Sequence, residues 1–423
     1  MSPTFRALHN PNYRLYAAGG VVSNTGTWMQ RVAQDWLVVL LATNDGVALG
    51  ITTGLQFLPA LLLSPYAGLI ADRVPKLRLL KITQTVMALT ALVLGALAVT
   101  GTVEVWHVFV LAFVFGTGSA FDAPARQSFV SELVGPDDLS NAVGLNSASF
   151  NAARMLGPAL AGVLIAAFGG GVTATGWVIV MNGLSYGAVL LALSRMRTAQ
   201  LLTTVPEERH KGMIRDAVRY LRGRPDLLLV LSVVGFAGTF GLNFQMTSAL
   251  MATQVFDKGA TEYGLLGSIM AIGSLSGALL AARRTRVRLR LVVGAAVLFG
   301  VVEIAAGLMP TYLTYAVTVP LLGLAALTMI TAANTTMQLA TAPHLRGRVM
   351  ALYLMVFMGG TPIGSPFIGW LGETFGARWT LIGGGGLTLL GVLLSVALFT
   401  RSRHRLGEKV LTTDPVRAVA VAS

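Results

Sequence analysis

Residues 173–194 read TATGWVIVMNGLSYGAVLLALS, without one Asp, Glu, Lys or Arg. About 20 residues of this kind are what one helix needs to cross the hydrocarbon layer of a membrane. The same pattern recurs before it at 14–42, 47–71, 79–101, 106–124 and 142–168, and after it at 227–252, 263–282, 291–309, 312–333, 349–371 and 379–400. Lipid cannot satisfy free backbone N–H and C=O groups, so each stretch is expected to be helical; all are too long and too evenly apolar for barrel strands. The sequence therefore predicts an all-α membrane protein with twelve transmembrane helices.

Composition agrees with that count. Of 423 residues, 54% are hydrophobic and only 12% charged, with a mean hydropathy of +0.70. A soluble domain carries about 25% charged residues. A soluble enzyme, a disordered chain and a nucleic-acid binder are excluded on that ground. The formal charge of +13 is a matter of topology instead. Of the 31 basic residues, Lys258 and Arg378 fall in odd-numbered loops, and Arg31 and Arg154 lie inside segments. The others sit in tails, even-numbered loops or at their membrane edges, which places both termini in the cytoplasm. The start, MSPTFRALHNPNYRLY, lacks the apolar core and small-residue site of a cleavable signal, so the first segment is expected to remain as a helix. With no cysteine there is neither disulfide nor thiolate chemistry.

The longest polar interval divides the chain into a six-helix half (1–194), a cytoplasmic linker (195–225), a second six-helix half (226–400) and a disordered tail (401–423). Within the linker, Ile214, Ala217, Val218 and Leu221 recur at helical spacing against Arg215, Asp216, Arg219 and Arg222. This reads as an amphipathic helix on the membrane surface or as a solvated linker helix. The halves echo each other: GLIADRVPKLRLL from Gly68 and GALLAARRTRVRLRL from Gly277 both close the second helix of a half. VGPDDLSNAVGL from Val134 and TAPHLRGRVMAL from Thr341 both join the fourth and fifth. Repeated halves are how transporters place a site at an interface and rock around it.

Polar residues inside the apolar segments are the candidates for chemistry. The first segment carries Asn24, Thr27, Arg31, Gln34 and Asp35 at steps of three and four, so they are expected on one helix face, with Arg31 and Asp35 able to pair. A charge in the bilayer core costs at least about 2.5–3.5 kcal/mol, so the row should face a wet cavity. Burial favours a neutral acid and a neighbouring guanidinium favours the carboxylate; a proton-coupled carrier needs that balance. A static ion pair locking helices is the structural alternative. Further polar groups are Asn146, Asn151 and Arg154 on segment five, Asn243 and Gln245 on segment seven, and Glu303 on segment nine. Arg31, Arg154, Asp35 and Glu303 sum to zero charge, which makes mutual pairing plausible. Asn243 and Gln245 suit helix–helix hydrogen bonds, and Glu303 suits a structural ion pair as well as a transport role.

Two motifs look conformational. Residues 68–78, GLIADRVPKLR, offer Gly68 for close approach, Asp72 at a helix end, and Arg73, Lys76 and Arg78 as loop anchors. Asp122, Pro124 and Arg126 could join that cluster as a latch. On segment five, Gly144, Ala153, Gly157, Pro158, Ala161 and Gly162 allow tight packing and a bend; segment eleven has its own version in GGTPIGSP at 359–366. These read as dry seals or hinges.

Across its whole length the chain resembles the major facilitator superfamily. The 68–78 loop matches that family's signature between helices 2 and 3, with Pro75 in place of the usual Gly, and its second-half copy lacks the acid. The Gly157-Pro158 pattern is similar to the antiporter motif of exporter branches, with Ala153 and Ala161 in place of Gly. The blocks GTWMQRVAQDWLVV, FDAPARQSFVSELV and LRGRVMALYLMVF resemble the transmembrane secretion effector branch, which is similar to enterobactin and macrolide exporters. The resemblance implies the major facilitator fold and proton-driven export of a small amphipathic drug-like or siderophore-like molecule. It also implies a charge relay of Asp72, Arg73 and Asp122, a cavity lined by helices 1, 4, 7 and 10, and a monomer in the inner membrane. No cofactor is implied beyond the proton gradient, and no nucleic-acid partner. The chain contains no Gly-Lys dipeptide, so no Walker lysine, and its five histidines are scattered. An enzyme or ATP-driven pump is therefore disfavoured. A transport-inactive scaffold and a proton-coupled importer are the alternatives.

Overall fold

The computed structural model describes residues 3–43, 45–202, 213–282, 289–342 and 345–413. The first half holds α1 (Pro11–Leu41), α2 (Gly46–Arg73), α3 (Lys76–Val99), α4 (Val105–Leu133), α5 (Pro136–Ala167) and α6 (Val172–Ser194). A short α7 (Met213–Arg222) leads to the second half. There α8 (Pro225–Phe236), α9 (Phe244–Leu250) and two π turns make one crossing. Next come α10 (Ala260–Ala282), α11 (Leu289–Gly307) and α12 (Tyr312–Ala340). α13 (Arg346–Gly359) and α14 (Thr361–Phe375) share a crossing, and α15 (Arg378–Thr413) follows. No strand occurs among the described residues.

Local chemistry starts the helices. Asn10 caps α1 by accepting from the Asn12 and Tyr13 amides, with Pro11 in the first turn, where its missing N–H costs nothing. Asp45 caps α2 by accepting from the Val47 and Ala48 amides. Eleven stretches among the described residues are long and apolar enough to cross a membrane. α1 is not among them although it has 31 residues, because Asn24, Thr27, Gln30, Arg31, Gln34 and Asp35 interrupt it. With α1 the count reaches the expected twelve.

Several boundaries differ from the sequence reading. α4 runs through Pro124 to Leu133, and α12 runs to Ala340 rather than Ala333. α15 continues to Thr413, through part of the tail expected to be disordered. The seventh crossing is broken: π turns span Ala237–Gly241 and Met251–Val255, with Leu242 and Asn243 outside helical geometry. The eleventh divides at Gly360, just before Pro362, which cannot donate a backbone hydrogen bond. The linker helix does form. Its Leu221 is buried in the second-half core and the Tyr220 hydroxyl lies 3.4 Å from the Ala340 carbonyl, so this end of α7 docks on its own half. The side chains of Ile214, Asp216 and Ala217, with residues 203–212 and 414–423, lie outside the described residues.

Within the first half α1 and α3 pack on α6, and α4 packs on α2 and α3; within the second, α12 packs on α10 and α11, and α11 on α15. The halves meet along two seams, α2 against α14 and α5 against α10. An up-and-down chain with an even number of crossings brings both termini to one end of the bundle, called here the terminal end. The opposite end carries the α1–α2, α5–α6 and α14–α15 turns.

Candidate functional site

The two seams are closed at the end opposite the termini. The Tyr263 hydroxyl on α10 donates to Asp35 Oδ2 on α1 at 3.0 Å. The Trp36 and Tyr263 rings stack at 6.2 Å between centroids. Beside them the Ala159 amide donates to Ser268 Oγ at 3.2 Å, and Thr261 Oγ1 donates to the Gly162 carbonyl at 3.3 Å. On the other seam Ser365 Oγ donates to the Gly50 carbonyl at 3.0 Å. A side chain at Gly162 would meet the Ala260 carbonyl, and one at Gly264 would meet the Pro158 carbonyl. Small residues on both helices let the backbones touch, which is how helices associate in lipid. Gly157 likewise packs on α1, against Trp28 and Met29.

Toward the terminal end the contacts thin out. Among the described residues, a side chain added at Gly68 or at Gly144 would meet nothing within 4 Å. These two glycines were expected to sit in tight contacts; here they face open space. The hydrogen bonds named above that join the halves all lie toward the end opposite the termini.

The polar row of α1 keeps to one broad face, an arc of about 100°, but that arc is wide enough to reach more than one neighbouring helix. Thr27 Oγ1 lies 3.0 Å from the Tyr186 hydroxyl of α6, and Gln30 accepts from Asn182 of α6. Both are used inside the first half. Arg31 lies with its guanidinium 4.8 Å from the Trp28 ring centroid and 5.8 Å from that of Phe57. Asp35 points to α10, and its residue is only 6% exposed. The expected Arg31–Asp35 ion pair is not formed. The carboxylate is taken by Tyr263, and Arg31 Nε is buried with no hydrogen-bond partner. Asn24 is half-buried and Gln34 buried, neither with a side-chain hydrogen bond among the described residues.

On α5, Arg154 reaches the same Trp28 ring, 5.7 Å from its centroid. Asn151 donates to the Ser147 carbonyl of its own helix and is exposed; Asn146 is half-buried. Arg31, Trp28, Phe57, Phe150 and Arg154 therefore form one cluster drawn from α1, α2 and α5.

Glu303 stands apart from it. It is 2% exposed, inside the second half, and its Oε2 has no hydrogen-bond partner. It fits against two glycines, Gly241 in the π turn and Gly384 on α15. The four intramembrane charges therefore do not pair with one another. Asn243, at the break of the seventh crossing, donates to the Thr239 and Phe240 carbonyls of its own segment, and Gln245 is half-buried. Asn243 holds the unwound turn rather than a neighbouring helix.

The expected latch also resolves differently. Asp122 is buried and accepts from Thr83 Oγ1 at 2.8 Å, Gln84 Nε2 at 2.7 Å and Arg126 Nε at 3.0 Å. That cluster ties α4 to α3 inside one half. Lys76 pairs with Glu132 at 2.5 Å, again α3 with α4. Arg73 and Arg78 are exposed, and the Asp72 side chain lies outside the described residues, as does the 283–288 copy of the loop. Tyr263, Gln84 and Glu132 were not singled out from the sequence. A lone tyrosine near a helix start gives no signal, whereas Glu132 stands out as an acid at the end of an apolar helix.

Comparison with known proteins places this geometry. The profile of the family described as "Transmembrane secretion effector" matches residues 2–416. The multidrug efflux pump Tap of Mycolicibacterium fortuitum is 28% identical over 405 residues, covering 92% of this chain and 95% of that protein. The staphyloferrin A transporter of Staphylococcus aureus is 28% identical over 256 residues, covering 59% of this chain and 62% of that one. The enterobactin exporter EntS of Salmonella typhimurium is 23% identical, covering 85% of each. Among solved structures, the nucleoside transporter NupG superposes with a TM-score of 0.69 at 12% identity, covering 92% of this chain and 99% of that one. A bacterial homologue of the lysosomal transporter Spinster, inward-facing and unoccupied, gives 0.67 at 15%, covering 91% and 96%. These likenesses establish the fold.

Proposed function

Because the chain belongs to the transmembrane secretion effector family of major facilitator transporters, we propose that it exports a small amphipathic molecule from the cytoplasm by proton antiport. Several relatives are named for efflux or export. The Lys and Arg distribution puts the terminal end in the cytoplasm, so the closed end faces outward and cargo enters from the cytoplasmic end. The protein is a monomer in the cell membrane.

One observation carries the reading: the hydrogen bond of Asp35 is made across the two halves, to Tyr263. Opening the outer seal must break it. The carboxylate then meets water on the outside and takes up a proton there. Reclosure returns the side chain beneath Tyr263 and shuts it off from the outside, so the proton leaves toward the inner vestibule. Cargo leaves while the outer end is open. One titrating group is thereby tied to the conformational switch, which is what coupling requires.

The test is efflux of a fluorescent drug from proteoliposomes under an imposed pH gradient. Asp35→Asn should abolish gradient-driven efflux while the purified variant elutes and melts like the parent. Wild-type efflux that persists after the gradient is collapsed would end the antiport reading.

A further inference from the structure

Resting on the export reading, the geometry points to the chemical class of the cargo: we propose that Arg31 and Arg154, both standing over the Trp28 indole, form a subsite for the carboxylate of an aromatic anion.

Two guanidiniums converge on one ring, at 4.8 and 5.7 Å from its centroid. Neither is paired with an acid among the described residues, where the ion pairs are Arg6–Asp138, Lys76–Glu132, Arg126–Asp122 and Arg224–Asp226. Asp35, the obvious candidate, is held by Tyr263. Cation–π contact offsets about 2 kcal/mol when desolvated. That falls short of the cost of a cation in the membrane core, and here there are two of like sign. A ligand carboxylate between them would supply the missing counter-charge, and the guanidinium fork matches it in two-point geometry.

The place suits cargo. Arg31 lies four residues below Asp35 and Arg154 four below Pro158, so both stand one helical turn inside the outer seal. On α5, Ser147, Asn151 and Arg154 follow one face at i, i+4 and i+7, and Ser147, Ala148 and Asn151 are exposed or half-buried. Such small and polar residues make a wetted wall; the lipid-like exposed residues, Leu156, Leu160 and Val163, lie elsewhere on the helix. Phe150 sets its ring edge-on to Trp28 at 5.7 Å, and Phe57 flanks Arg31, so aromatic surface adjoins the charges. A cationic or neutral guest would leave both guanidiniums uncompensated.

The experiment uses two probes that share a ring and differ in charge: radiolabelled 1-naphthoate and 1-naphthylmethylammonium. Binding to the full chain in nanodiscs is read by equilibrium dialysis. Wild type should bind naphthoate saturably and more tightly than the ammonium. Arg31→Gln with Arg154→Gln should weaken naphthoate by about tenfold or more without weakening the ammonium, and the paired Lys variant should recover part of the loss. If the double variant does not fold, Arg154→Gln alone carries the comparison. Absence of saturable naphthoate binding, a preference for the ammonium, or naphthoate affinity unchanged by the Gln variants would overturn the assignment. Naphthoate that binds through the arginines but is never transported sinks the export reading and spares the subsite. A parent protein that drives gradient-coupled efflux of a cationic dye but binds no naphthoate does the reverse.

Discussion

Asp35 and Glu303 are both buried carboxylates, yet their surroundings give them different work. Asp35 is bonded to the other half, whereas Glu303 lies within its own half against glycines with Oε2 unbonded. An unpaired buried acid costs no stability when it is made permanently neutral. Glu303→Gln is therefore expected to keep or raise the melting temperature in detergent; a drop of more than about 5 °C would show that the carboxylate has a charged partner. Asp122 is the contrasting case. It meets Arg126, Thr83 and Gln84 together, so Asp122→Ala leaves a half-buried guanidinium unpaired and should cost about 3 kcal/mol, read as a fall in urea or thermal midpoint. Tyr263→Phe removes only the hydroxyl that closes the seal, worth about 1.5–3 kcal/mol for a bond to a charged acceptor. It should shift the population toward the outward-open form at unchanged overall stability, which distance measurements between spin labels would register.

Helices were legible where apolar runs were long and uninterrupted. The polar row of α1 could be found, but its direction could not: drift of the helical face separates Thr27, Arg31 and Asp35 onto three different neighbours. The π turns of the seventh crossing left no trace in hydropathy, because Gly, Phe and Asn there are compatible with an ordinary apolar helix. Glycines were visible, but which of them touch a partner depends on the conformational state. That difference is testable at the level of the seams. Gly264→Val should prevent closure of the α5–α10 contact and favour the outward-open form, since its side chain would run into the Pro158 carbonyl. Gly68→Val meets nothing among the described residues of the closed-outside form and should leave it intact. If the loop at 68–78 latches the opposite form, as its family resemblance implies, that form alone should be lost. Cysteine crosslinking across each seam separates the two outcomes; equal loss of both forms in both variants would contradict it.

At the scale of the molecule, two six-helix bundles share little beyond two seams, and those seams are closed at one end. The twelve crossings and the family were readable from sequence, because lipid leaves a helical chain few alternatives. The pairing of side chains between halves was not, since it joins residues far apart in the chain with no shared pattern. The absence of native cysteine makes the decisive measurement clean. Thr43 in the α1–α2 turn and Glu373 near the end of α14 are both exposed, on opposite halves at the closed end. With each changed to cysteine and spin-labelled, the distance between them should respond to pH in the parent protein and lose that response when Asp35→Asn is added. A distance that titrates identically with and without the Asp35 carboxyl would contradict the coupling of that residue to the seal.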